Sequence, residues 1–321
     1  MNNHLQTTLL IGNGLNQCLK GGVPWGNLLE RIGNKLKVEV NENIPLPLEF
    51  ERLINVHLEE NPSDAKEIYT RVKKMIAEIV AEVSLPQTAI HNKLRELSLD
   101  GIITTNYDLL LEHVYSSSFF QSIHSGGAGN PKYLLGSVGT VEGVDFYHAH
   151  GCISKPTTLC LGYEHYMGSV EKIRREMKKG ANKKEKGHIL AVLEGSEESN
   201  NTWIERFYTS NLGILGLGLY ECEADLWWLL THRASLYYSD PSGAHSYIRN
   251  TISYYDVIDD LPKASVEAEI ANIKKKEAEK KHALLKGMNV NVKKFFLSNT
   301  QSGTYQEAYE KIFNHIKENG I

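Results

Sequence analysis

The feature that most constrains this fold is an alternation of short apolar runs, typical of β-strands, with longer segments of helical periodicity. Six apolar runs occur, of which the last two are weaker: residues 7–11, 101–105, 144–149, 212–215, 246–255 and 290–296. Strands that alternate with helices along a chain indicate a parallel sheet covered by helices. We therefore predict an α/β fold, with a Rossmann-like parallel sheet and helices on both of its faces.

The helices are predicted from the spacing of apolar residues. The i, i+3, i+4 pattern runs for five turns over residues 65–83, and it returns over residues 305–316 behind a capping residue, Thr304. A Lys- and Glu-rich helix is predicted over residues 265–286, where Gly287 ends it.

A chain of 321 residues can bury a core without disulfides or a structural metal. We predict one domain over residues 1–321, with residues 155–203 as a polar helical insertion between the third and fourth strands. Within it, residues 172–186 carry eight positive and two negative side chains. This run, like the helix over 265–286, is either a solvated helix face or a docking surface for an acidic partner or nucleic acid. The net charge of −4 counts against a nucleic-acid-binding enzyme, so direct nucleic acid contact is not expected.

The four cysteines do not form a C-x-x-C pair: Cys18, Cys152, Cys160 and Cys222. This spacing argues against a zinc ribbon or a disulfide framework and fits a reducing compartment. The N-terminal residues do not resemble a secretory signal, and the sequence has no stretch of 18 apolar residues. We expect a cytoplasmic protein that does not span a membrane.

Each of the four clear strands ends in a glycine-rich or polar cluster, at residues 12–16, 104–108, 148–151 and 216–219. Ligands of open parallel sheets bind beyond the carboxyl ends of the strands. We therefore predict that the four clusters converge on one cleft.

The glycine-rich clusters suit close approach to a ligand. Gly12 and Gly14 follow the first strand and allow the backbone to turn sharply beside a phosphate. The G-x-G-x-x-G fingerprint is not met, because its third glycine is replaced by Gln17, so a plain tight turn stays an alternative. Gly216 and Gly218 suit approach of a ligand backbone or sugar. The acids that follow them can cap the next helix: Glu221, Glu223 and Asp225.

The polar clusters carry the candidate chemistry. Asp108 can cap the helix that follows it, whereas the Asn106 amide could hold a ribose hydroxyl or a water. His148 and His150 lie on one face of a predicted strand, as the ligands of an H-x-H metal site do. No Asp or Glu is spaced from them as a further metal ligand would be, so we expect no metal. A single histidine at a strand end can act as a general base near neutral pH, or it can be structural.

The order and spacing of these motifs, GNGLN, TTNYD, HG and then GLGL with an acid behind it, resemble the SIR2 family over residues 9–255. The resemblance is specifically to the SIR2-like domains of bacterial anti-phage defence proteins. The deacylase branch of that family carries a zinc module with two C-x-x-C pairs, which this sequence lacks. The chain is therefore similar to the NAD-hydrolysing defence branch, without a zinc module.

The resemblance implies a domain that binds NAD, and it implies roles for individual residues. His150 would match the catalytic base, Asn106 the asparagine near the nicotinamide ribose, and Asp108 the aspartate near the nicotinamide amide. The implied NAD-binding residues are Gly12, Asn13, Gly14, Asn16, Thr105, Gly216 and Gly218. Asn13 and Asn16 depart from the family's phosphate-binding turn.

The implied function is NAD⁺ glycohydrolysis, with NAD⁺ as substrate and no metal, which depletes cellular NAD in abortive anti-phage defence. The resemblance implies activation by homo-oligomerisation or by a separate defence-system partner protein, such as an ATPase or a sensor. The alternative is a non-catalytic subunit that senses NAD or ADP-ribose, or that serves as a scaffold.

Overall fold

A seven-stranded sheet organises the protein. The computed structural model describes residues 5–16, 24–82, 89–117, 132–178, 187–239, 247–259, 265–297 and 305–321. Its strands are β1 (Thr7–Ile11), β2 (Gly101–Thr104), β3 (Gly139–Val141), β4 (Val144–His148), β5 (Asn211–Leu215), β6 (Ile252–Ile258) and β7 (Asn291–Phe296). The strand order is β3-β4-β2-β1-β5-β6-β7, and all neighbours are parallel except β3 and β4.

Helices cover both faces of the sheet. They are α1 (Trp25–Leu36), α2 (Leu46–Glu60), α3 (Ile68–Glu82), α4 (Ala89–Asn92), α5 (Leu110–Tyr115), α6 (Tyr163–Lys178), α7 (His188–Glu194), α8 (Trp203–Thr209), α9 (Ala224–Tyr238), α10 (Ser265–Gly287) and α11 (Tyr305–Asn319). Successive strand side chains point to opposite faces, so Leu10 enters the core under α6 to α10, whereas Leu9 and Ile11 enter the core under α4, α5 and α11. The predicted α/β fold is confirmed.

A third hydrophobic cluster lies beside the sheet. Helices α1, α2 and α3 pack their apolar stripes together around Phe50 and Ile76, both fully buried, and Leu161 joins them from the loop after β4. These three helices occupy the chain between β1 and β2. Trp25, Leu46 and Val80, one from each helix, line the same cavity as Asn13 and Gly14 of the loop that leaves β1.

The observed elements differ from the predicted ones at several boundaries. Helix α3 begins at Ile68, because Pro62 starts a short 3-10 helix over Pro62–Lys66 in place of a first α-helical turn. Strand β6 begins at Ile252, and residues 247–251, the described part of the predicted run before it, do not form a strand. Strand β3 was not predicted: it is an antiparallel edge strand of three residues, joined to β4 by a turn at Glu142 and Gly143 with positive φ at both.

The predicted polar insertion packs partly against the body of the protein. Helix α6 buries Tyr166, Ile173 and Met177 and contacts α9 and α7. Its outer face carries the i, i+4 ion pair Lys172–Glu176 (2.7 Å), which fits a solvated helix face for this part of the basic run. Residues 179–186 of that run lie outside the described residues, as do Cys18, Gln17 and Thr304. Helix α10 ends at Gly287, as predicted.

The topology creates a crevice between β1 and β5. The chain leaves β1 toward β2 on one side, whereas β5 is followed by β6 on the other side. Such a switch point, at the carboxyl ends of the strands, is the usual ligand site of open α/β sheets.

Three glycines allow the loops after β1 and β5 to touch. The amide of Gly12 donates to the Leu215 carbonyl (3.0 Å), and the amide of Gly14 donates to the Gly216 carbonyl (2.7 Å). A Cβ atom at Gly12 would lie 2.5 Å from the carbonyl oxygen of Gly216, and one at Gly14 would lie 2.7 Å from it. Gly216 also has a φ of +63°, which disfavours other residues. Contact between the two loops therefore requires these glycines, whatever ligand binds there.

We predict that Gly12→Ala destabilises the protein by about 1–3 kcal/mol, because the new methyl group overlaps backbone atoms that cannot move independently. Urea unfolding followed by circular dichroism measures the change. Gly287→Ala is the matched control: a Cβ there meets nothing within 4 Å, and its free energy of unfolding should stay within about 0.5 kcal/mol of wild type. Equal stability of the two variants would contradict the loop contact.

Candidate active site

A cavity of about 540 Å³ lies at the carboxyl ends of the central strands, and its volume is typical of small-molecule sites. Eight of the ten predicted site residues line it: Asn13, Gly14, Thr105, Asn106, Asp108, His150, Gly216 and Gly218. Gly12 and Asn16 do not belong to the lining, although both lie in the loop after β1. Residues from all four predicted clusters thus meet at one cavity, while the roles assigned to them stay predictions.

Asn106 presents an unsatisfied amide to this cavity. It follows β2 and is 5% exposed. Its backbone is fixed, since its N–H donates to Thr104 Oγ1 (3.0 Å) and His148 Nδ1 donates to its carbonyl oxygen (2.8 Å). Both side-chain atoms, Oδ1 and Nδ2, are buried without a hydrogen-bond partner among the described residues. A buried polar group without a partner costs about 1–3 kcal/mol, so this amide is suited to pair with a ligand.

His150 is held by a buried carboxylate. It lies in the turn after β4, where Gly151 adopts a φ of +84°, and it is 3% exposed. Its Nε2 lies 3.2 Å from Asp225 Oδ2. Asp225 is fixed in turn, because Ser169 Oγ donates to its Oδ2 (2.9 Å) and the amide of Leu226 donates to its Oδ1 (2.9 Å). A proton on Nε2 that is shared with Asp225 leaves Nδ1 free to act on a ligand.

Burial and charge have opposite effects on the pKa values of His150 and Asp225. Burial alone would lower the pKa of His150, but the Asp225 carboxylate and, more weakly, Glu223 outweigh it and raise the pKa above its usual value. Burial would raise the pKa of Asp225, but His150 and the two hydrogen bonds to Asp225 hold that pKa below its usual value. Asp225 is therefore ionised, and it supports positive charge on the imidazole.

Glu223 adds a second carboxyl group to the cavity lining. It occupies the N-cap position of α9 but makes no side-chain capping bond, so the predicted capping role is wrong for this residue. Instead, its Oε2 accepts a hydrogen bond from the Tyr220 amide (2.8 Å). Burial raises the pKa of Glu223 to about 7, against the opposing effect of His150.

Asp108 and Asn16 form a pair at the edge of the cavity. The N-cap residue of α5 is Leu109, which has no capping side chain. Asp108, one residue earlier, accepts through Oδ1 from the first amide of the helix, that of Leu110 (3.0 Å). Its Oδ2 accepts from Asn16 Nδ2 (3.0 Å), and burial raises the pKa of this carboxyl. Asn16 therefore contacts Asp108 rather than the cavity.

His148 belongs to a separate, fully buried pair. Its Nε2 lies 2.6 Å from Glu112 Oε1, and neither side chain is exposed. Burial would lower the pKa of His148, but the Glu112 carboxylate outweighs it and raises the pKa to about 10. Within the described ranges, no group of three or more His, Cys, Asp or Glu side chains is placed to hold a metal ion. His148 therefore supports the backbone of Asn106, to whose carbonyl oxygen it donates.

Several lining residues were missed by sequence reasoning. Tyr166 of α6 packs edge-on against the His150 ring, with ring centroids 5.2 Å apart. Lys281 of α10 donates to the Gly218 carbonyl (3.0 Å) and to the Tyr254 hydroxyl (2.9 Å). The apolar periodicity of α10 could have indicated that Lys281 lies near the body of the protein, because His282 and Leu285 are buried at helical spacing beside it.

A SIR2-like domain model matches residues 100–190 of the chain. The matched segment contains Asn106, Asp108 and His150, whereas the glycine loops after β1 and β5 lie outside it. The match supports the SIR2-like family, whose domains bind NAD. No curated protein matches the chain. Among the described helices, none is both long enough and apolar enough to cross a membrane.

We predict that Asp225→Asn lowers the pKa of His150, because the burial of the imidazole is then no longer opposed by that carboxylate. NMR titration of the His150 ring measures the pKa directly. Asp256→Asn is the matched control, since Asp256 also lines the cavity but pairs with His282 (2.6 Å). A His150 pKa that does not change in Asp225→Asn would contradict the pairing.

Proposed function

We propose that this protein cleaves the nicotinamide–ribose bond of NAD⁺. The observation that carries the proposal is the unpartnered, buried carboxamide of Asn106 in the same cavity as His150. The SIR2-like match over both residues supports NAD as the ligand. Deacylation is not proposed, because the sequence lacks the two C-x-x-C pairs of the deacylase zinc module.

The proposed reaction converts NAD⁺ and water into ADP-ribose, nicotinamide and a proton. The C1′–N1 bond breaks with its electron pair going to the nicotinamide ring, which leaves as a neutral molecule and needs no acid. The transition state resembles an oxocarbenium ion, as in other glycosidic cleavages. The protein must therefore orient the ribose and a water molecule and keep bulk solvent out.

Each of the cavity residues has one role in this proposed reaction. Asn106 holds the nicotinamide ribose or the attacking water, since its amide can both donate and accept. His150 takes a proton from a ribose hydroxyl or from water, with Asp225 stabilising the charge that it acquires. Asp108 borders the nicotinamide carboxamide. Both of its oxygens already accept one hydrogen bond, but a carboxylate oxygen can accept a second.

The glycine loops are proposed to hold the rest of the dinucleotide. The loop after β1 with Asn13 and Gly14 would border the diphosphate, because a glycine lets a ligand approach the backbone closely. Gly216 and Gly218 would border the adenosine side. Thr105, which also lines the cavity, would contact the dinucleotide as well. Gly12 and Asn16, which do not line the cavity, would act by shaping the first loop.

The biological role that we propose is depletion of NAD in the cytoplasm during anti-phage defence. The support for this role is the motif order described above. We propose that assembly of several copies, or a separate defence-system protein such as an ATPase or a sensor, activates the reaction. Binding of NAD without release of nicotinamide, both alone and with such a partner, would favour the alternative of a sensing or scaffold subunit.

We predict that Asn106→Ala and His150→Ala abolish nicotinamide release from NAD⁺. Loss of a general base at His150 costs about 10²- to 10⁴-fold in rate, and loss of Asn106 removes the group that orients the ribose or the water. Chromatography of free nicotinamide measures the release, at several protein concentrations. Asn319→Ala is the control, because Asn319 is exposed at the end of α11, outside the cavity lining, and its side chain hydrogen-bonds to His315. Urea unfolding should show that the variants stay folded. Turnover at the wild-type rate in either variant would contradict the proposed mechanism.

A further inference from the structure

Glu223 differs from the other carboxylates of the cavity lining in its hydrogen bonding. The other two carboxylates among the described lining residues are engaged, Asp108 through both oxygens and Asp256 through His282. Glu223 is 7% exposed, and Tyr220 fixes only its Oε2. Its Oε1 makes no hydrogen bond with any residue that the structure describes. A carboxyl group that is largely buried but keeps one accessible oxygen toward a cavity is suited to act on a ligand.

The local backbone holds Glu223 in this position. The Glu223 amide donates to the Tyr220 carbonyl (3.0 Å), while the Tyr220 amide donates to the Glu223 side chain (2.8 Å). The carboxylate is thereby withdrawn from the helix start, where an N-cap side chain normally bonds. The sequence thus has an acid at the start of α9 that does not cap the helix, and this residue lines the ligand cavity.

The charges around Glu223 suit proton transfer. His150 and Lys281 favour its ionised form, whereas burial and Asp225 disfavour it, and the balance places the pKa at about 7. Four tyrosines line the same cavity, and the charge of Glu223 contributes to the raised pKa of each phenol: Tyr107, Tyr166, Tyr220 and Tyr254. A general base is most effective when its pKa lies near the working pH. His150, by contrast, is paired with an ionised aspartate that stabilises its protonated form.

We propose that Glu223 is a further catalytic residue, which accepts the proton of the attacking water. This inference rests on the proposed cleavage of NAD⁺. As the water oxygen bonds to C1′, the C1′–N1 electron pair leaves with nicotinamide and one water proton passes to the Glu223 carboxylate. The resulting carboxylic acid then releases that proton to solvent. His150 is thereby left to act on a ribose hydroxyl.

The test compares Glu223→Gln with Glu221→Gln, using purified protein and NAD⁺. Glutamine keeps an acceptor for the Tyr220 amide but cannot take a proton. Glu221 is an exposed acid of the same loop that does not line the cavity, so its variant loses the same charge and should match wild type. We expect Glu223→Gln to lose about 10²- to 10⁴-fold in kcat, with a Kd for NAD⁺ close to that of wild type by calorimetry.

The pH profile separates a catalytic role from a structural one. In wild type, kcat should fall as the pH drops below about 7, because Glu223 becomes protonated. The residual rate of Glu223→Gln should lack this limb, whereas Glu223→Asp should keep it at a lower kcat. Glu223→Asp also keeps the test valid if the glutamine variant does not fold.

The outcomes distinguish this inference from the proposed function. No nicotinamide release by wild type under any condition overturns both. Release by wild type with an unchanged kcat in Glu223→Gln, or with a change in KM alone, overturns the role of Glu223 and leaves the proposed function standing. Loss of the acid limb in Glu223→Asp overturns that role as well.

Discussion

The structure depends on the contact between the loops that leave β1 and β5. These two strands are neighbours at the centre of the sheet, and the chain diverges from them in opposite directions. Their loops cross so closely that Gly12, Gly14 and Gly216 touch through backbone atoms alone. This contact fixes the floor of the cavity. The clusters that follow β2 and β4 lie at the same edge of the sheet, because β2 pairs in parallel with β1 and β4 pairs in parallel with β2.

The cavity combines groups that a core alone would not retain. An unpartnered amide at Asn106, a carboxyl group at Glu223 and the hydrogen-bonded pair of His150 and Asp225 are all at least nine-tenths buried. Each costs folding free energy through desolvation. The buried His148–Glu112 pair adds to this cost and supports the Asn106 backbone. A site for a polar, charged ligand explains why these groups lie together.

Much of the fold could be predicted from the sequence, because strand and helix periodicities are local signals. The strand-end clusters followed from the same reasoning. The edge strand β3 was missed because three residues carry no periodicity. The pairing of His150 with Asp225 was missed because the two residues are 75 positions apart, and an acid near a helix start is equally well explained as a cap. Lys281 was obscured by the many exposed charges of α10.

The central claim is that this cavity binds NAD⁺ with the nicotinamide ribose against Asn106. A crystal structure of the protein with a non-cleavable carbocyclic analogue of NAD⁺ tests it most directly. The account predicts that the Asn106 carboxamide forms hydrogen bonds to the ribose analogue or to a water beside C1′, with His150 on the same sugar. An analogue bound elsewhere, or an Asn106 amide still without a partner in the complex, would contradict it.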